Sequence, residues 1–136
     1  SFNLVLSLFI NDILSSLAYK LIIAYFLSSI LKTVPDININ GSITNRLPGN
    51  INISFKNLNR KKILDELDKL GICASAGSAC SAGILKQSHV LNAIGMPKEY
   101  SNNSLRITIG KYNTKEEVDY LLSSLTSIVT RLYKEF

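Results

Sequence analysis

The stretch from Thr114 to Leu132 constrains the fold more than any other. Thr114 and Glu117 have the spacing of a capping box, in which the hydroxyl accepts a helical N–H and the carboxylate reaches back to the cap. Val118, Leu121, Leu122, Leu125, Ile128, Val129 and Leu132 then recur at helical spacing. A long helix with one apolar stripe needs a second layer to cover that stripe, and the rest of the chain must supply it.

Upstream, the apolar period changes from helical to alternating. Ile37 and Ile39 alternate with Asn38 and Asn40 up to Gly41; Ile51, Ile53 and Phe55 alternate with Asn52 and Ser54; Leu105, Ile107 and Ile109 alternate with Arg106 and Thr108. Each segment predicts a half-buried strand, and the third turns Arg106 away from the apolar face. Arg46-Leu47-Pro48-Gly49-Asn50 reads as loop. A helix is expected after Asn59, with Ile63, Leu64, Leu67 and Leu70 on its stripe and Gly71 as its stop. Arg60, Lys61 and Lys62 in its first turn oppose the helix dipole and predict a solvated, frayed end. Ile72 to Ala76 is expected to be a short apolar strand in which Cys73 serves as a small hydrophobe. Ser88 can cap a brief helix carrying Val90, Leu91 and Ile94, closed by Gly95 and Pro97. The expected class is α/β (α+β), short strands backed by helices over residues 32–136.

Residues 1–31 differ in kind. From Leu4 to Leu31 the only charges are Asp12 and Lys20. Lys20 breaks the run near its middle, while Asn11 and Asp12 interrupt its first half, which argues against a membrane span. A secretory signal would open on a basic leader that is absent here. The remaining expectation is an apolar helix buried on most sides, ended by Val34-Pro35-Asp36.

Net charge is +5, but the basic residues are scattered and no aromatic residues alternate with them, so a nucleic-acid partner is not expected. Cys73 and Cys80 are too few for a disulfide framework and match neither redox nor zinc-knuckle spacing, which makes cytosolic thiols the default. His89 has no second ligand at helical spacing, so no dedicated metal site is expected; it reads as a capping or surface residue.

Ala74-Ser75-Ala76-Gly77-Ser78-Ala79-Cys80-Ser81-Ala82-Gly83 is a run of small residues around one thiol. Gly, Ser and Ala give the sulfur little apolar cover and leave the backbone free to move, which suits a thiol that must visit two places. No neighbour in sequence supplies the positive charge that would lower its pKa. Arg106, on the polar face of a strand, is either a bidentate carboxylate clamp or a solvated edge charge.

The run Ser75 to Gly83, followed by Ser88-His89-Val90-Leu91-Asn92-Ala93-Ile94-Gly95, closely resembles the active-site cysteine loop of the NifS/IscS-type cysteine desulfurases. Asn45 to Phe55 upstream, then Ser104 to Gly110 and Thr114 to Asp119 downstream, resemble the same family in the same order, over roughly residues 28–136. The spacing from Cys80 to Ser88 is similar to that of the members with an extended cysteine loop, which serve iron–sulfur assembly.

The resemblance implies the small C-terminal domain of a fold-type I pyridoxal-phosphate enzyme that takes sulfur from L-cysteine, leaves alanine and carries the sulfur as a persulfide. It implies Cys80 as the catalytic thiol and Arg106 as the residue holding the substrate carboxylate. It also implies a homodimeric whole enzyme and a sulfur-acceptor or iron–sulfur scaffold partner. The family's cofactor lysine belongs to a preceding large domain that no part of this sequence matches, so the chain alone is expected not to bind pyridoxal phosphate. Residues 1–27 depart from the family's charged helix, as a truncated or frame-shifted gene would. A non-enzymatic persulfide carrier or an inert fragment is the alternative reading.

Overall fold

The computed structural model describes residues 2–41, 49–76, 100 and 103–135. Its elements run α1 (Phe2–Thr33), β1 (Ile37–Ile39), β2 (Asn50–Phe55), α2 (Arg60–Lys69), β3 (Ser104–Thr108) and α3 (Lys115–Lys134). The three strands form one antiparallel sheet in the order β1-β2-β3. Ile37 stands opposite Phe55, Ile51 opposite Ile107 and Ile53 opposite Leu105. This register puts the apolar alternates of β2 and β3 on one face, where they meet Phe26 and Ile30 of α1, Ile63 and Leu67 of α2, and Leu125 and Val129 of α3 in a single core. The opposite face carries the polar alternates Asn52, Ser54, Ser104 and Arg106.

α3 begins as the capping box predicts. The Thr114 hydroxyl accepts from the Glu117 N–H, and the Glu117 carboxylate accepts from the Thr114 N–H at 3.1 Å and from Asn113 Nδ2 at 2.8 Å. The Asn113 and Thr114 hydrogen bonds hold the Glu117 carboxyl below its ordinary pKa. Thr114→Ala leaves the N–H of the third helical residue without its acceptor and is expected to cost about 1 kcal/mol, read as a lower denaturation midpoint.

α1 differs from its expected burial. Ile23, Phe26, Leu27, Ile30 and the following Val34 enter the core, but Leu4, Val5, Leu6, Leu8, Ile10, Ile13, Leu14, Leu17 and Leu21 are 43–65% exposed. The sheet and α3 reach only the C-terminal part of the helix, so its N-terminal half is not buried on most sides. By length and composition, Leu4–Thr33 is long and apolar enough to cross a membrane. Its last turns, however, are core helix. Tyr19 marks the changeover, its hydroxyl donating to the Ile109 carbonyl beside Gly49. Gly49 has φ +81°, and a Cβ there would overlap the Tyr19 hydroxyl, so both the turn and the close approach require glycine.

Around α2 three expectations change. The end is capped rather than frayed, because Asn59 Oδ1 accepts from the Lys61 N–H at 2.9 Å. Lys61 and Lys62 are solvated and pair with Asp65 and Glu135, but Arg60 is only 7% exposed. Positions 60, 63 and 67 share one helical stripe, so the phase that buries Ile63 and Leu67 buries Arg60 with them. Its Nη1 has no hydrogen-bond partner among the described residues. Leu70, expected on the stripe, is 44% exposed because the helix has already ended and the chain turns at Gly71, φ +75°.

Candidate functional site

The polar face of the sheet gathers the candidate chemistry. Arg106 is partly buried at the centre of β3, directly opposite Asn52 of β2. On the other side, Ser75 forms an antiparallel bridge with Arg106: the Ser75 N–H donates to the Arg106 carbonyl at 3.1 Å, and the Arg106 N–H donates to the Ser75 carbonyl at 2.7 Å. The expected strand over Ile72–Ala76 is therefore reduced to one bridge. Residues 72–74 have no ladder partner of their own among the described residues.

Because both backbone groups of Arg106 face Ser75, the Arg106–Asn52 pair is one of the ladder's non-hydrogen-bonded pairs. In such pairs the Cα atoms approach to about 4.5 Å and the side chains lie closest. Beyond Asn52, Asn40 continues the row, its N–H donating to the Asn52 carbonyl at 2.9 Å. Asn40, Asn52, Arg106 and Ser75 thus form a transverse polar row across the sheet.

Side-chain hydrogen bonds stiffen one end of that row. Asn38 Nδ2 donates to Asn40 Oδ1 at 3.0 Å, and Asn40 Nδ2 donates to Asn52 Oδ1 at 2.7 Å and to Ser54 Oγ at 2.8 Å. Asn40 and Ser54 are buried, so these bonds satisfy groups that water cannot reach. The guanidinium of Arg106 has no ion pair or hydrogen bond to a described residue, and it is the only cation in the row.

The thiols part company here. Cys80 and His89, like the expected helix from Ser88 to Gly95, lie outside the described residues. Ser75, the residue bridged to Arg106, is five positions before Cys80. Cys73 is exposed rather than packed as a small hydrophobe, because its segment forms no continuous strand. It lines a cavity of about 390 Å³ with Ile107, Ile109, Asn113, Glu117 and Tyr120. Sequence reasoning missed Asn40 and Asn52, which it read only as polar alternates of strands. Their one visible signal was an unusual run of asparagines on the solvent-side positions of two consecutive strands.

The chain has relatives among known proteins. The family Aminotransferase class-V matches residues 2–121. The chain belongs to the class V aminotransferase family. Within this family, cysteine desulfurase IscS of Dictyoglomus turgidum is 44% identical over 108 residues, which are 79% of this chain and 27% of that protein. A cysteine desulfurase of Nostoc is 43% identical over 104 residues, 76% of this chain and 26% of that protein. The chain spans about a quarter of the length of these curated relatives. Among solved structures, a NifS-like protein superposes with TM-score 0.72 at 25% identity, covering 87% of this chain and 29% of that one. The X-ray structure of a NifS-like protein from Rickettsia africae gives 0.70 at 26% identity, covering 83% and 28%. The class V match begins at residue 2 and so takes in most of the 1–27 stretch that the motif blocks left outside the resemblance.

Proposed function

We propose that this chain is the small-domain portion of a cysteine desulfurase, in which Arg106 binds the carboxylate of L-cysteine and Cys80 takes its sulfur. The observation that best supports this reading is the Ser75–Arg106 bridge, which fastens the root of the cysteine-bearing stretch to the residue that would hold the substrate. Five residues of extended chain span at most about 17 Å, so Cys80 is tethered within that radius of Ser75. L-cysteine and the Cys80 thiol would yield L-alanine and a Cys80 persulfide, which a cytoplasmic sulfur acceptor of iron–sulfur assembly would then relieve.

Pyridoxal phosphate, the cofactor this family implies, labilises the bond between the substrate's β-carbon and sulfur when bound. The polar row does not fit it. One guanidinium, two amides and a serine offer no amine to join the cofactor aldehyde, and the guanidinium suits a carboxylate. We assign the cofactor to the large domain of the whole, homodimeric enzyme and derive no step through it here.

Arg106→Ala in the whole desulfurase tests the substrate role. Loss of a charge-assisted pair to the carboxylate is expected to lower kcat/KM for L-cysteine by on the order of a hundredfold, while cofactor absorbance stays unchanged. Unchanged KM together with unchanged kcat would remove Arg106 from the site.

A further inference from the structure

We propose that Asn52 is the second donor of a carboxylate receptor centred on Arg106; this rests on the reading of Arg106 given above. The argument begins with the amide's orientation. Asn52 Oδ1 accepts from Asn40 Nδ2 at 2.7 Å, so the other end of the same planar amide, the Nδ2 group with its two N–H donors, is directed away from Asn40. That group makes no hydrogen bond to a described residue.

The bonds of Asn40 favour this orientation over a flip of Asn52 alone. Asn40 Oδ1 is occupied by Asn38 Nδ2, and both Asn40 N–H groups are used, one on Asn52 and one on Ser54 Oγ. Flipping the Asn52 amide alone would set an NH2 against the Asn40 NH2 where Asn40 is 6% exposed and its Oδ1 already faces Asn38 Nδ2. The next residue along the row is Arg106, in the close, non-hydrogen-bonded register. A guanidinium and an amide NH2 side by side give donors and no acceptor. Such a pair matches the two oxygens of a carboxylate and does not match a neutral amide or an ammonium group. The receptor would therefore select amino acids over amines of the same side chain, L-cysteine over cysteamine.

The test uses the full 136-residue chain, with acetate, L-alanine and ethylamine as probes in a ¹H–¹⁵N NMR titration. Expected are shifts of the Asn52 Nδ2 and Arg106 Nε resonances with one common midpoint on adding acetate or L-alanine, and none with ethylamine. Asn52→Ala is expected to weaken acetate binding about tenfold, the size of a hydrogen bond to a charged group. Arg106→Gln is expected to abolish it. If Arg106→Gln abolishes binding while Asn52→Ala binds as tightly as the parent and the Asn52 amide resonances stay still, the assignment of Asn52 is overturned and Arg106 keeps its role. If acetate binds equally to all three proteins, both assignments fall. The amide shifts are read on the parent chain, so a poorly folding variant does not remove the test.

Discussion

Under the proposed function, replacing Cys80 with serine in the whole protein is expected to reduce sulfur transfer from L-cysteine on the order of a thousandfold or more, with cofactor absorbance retained. The hydroxyl is isosteric with the thiol but is not ionised near neutral pH, and it cannot carry sulfur as a persulfide. Alanine release and acceptor sulfuration, measured separately, check the result. Alanine and sulfide appearing at the parent rate would move the nucleophile to another residue. Cys73 is the internal control: it is exposed, on a cavity that it lines with Ile107, Ile109 and Tyr120, and Cys73→Ser is expected to leave transfer unchanged.

The second large effect is on stability. Phe26 is fully buried where α1 meets the sheet and α3, and Phe26→Ala is expected to cost about 3–5 kcal/mol in equilibrium denaturation. Leu14, on the same helix but 56% exposed, is expected to tolerate serine within about 0.5 kcal/mol. Equal effects at the two positions would mean that the N-terminal half of α1 is packed in solution. Leu14→Ser should also lower self-association, since that half of the helix presents an apolar surface to water.

Local period and local chemistry made much of the fold legible. The capping box of α3, the alternation in β2 and β3, the Asn59 start of α2 and the face occupied by Arg106 all follow from spacing, because each depends on residues within one element. What spacing could not reach depends on which elements meet. The burial of Arg60 follows from the phase of α2 against the core, and the exposure of Leu4 to Leu21 from how far the sheet extends along α1. The bridge at Ser75 needed β3 to have a free edge at that point. The asparagine network was legible only as polar residues, since its meaning lies in cross-strand register. Arg106 could be named as a candidate from its strand position, but not its neighbours on either side.

One consequence of the Ser75–Arg106 bridge concerns tolerance to loosening. The main chain of Arg106 secures the start of the thiol-bearing stretch, and the side chain of that same residue points to the polar face. The offset between the two is thus set by the covalent geometry of a single amino acid rather than by the packing of separate elements. Substitutions that slacken the core can lower the melting temperature while this alignment persists, so thermal stability and site geometry should vary independently as long as β3 remains a strand.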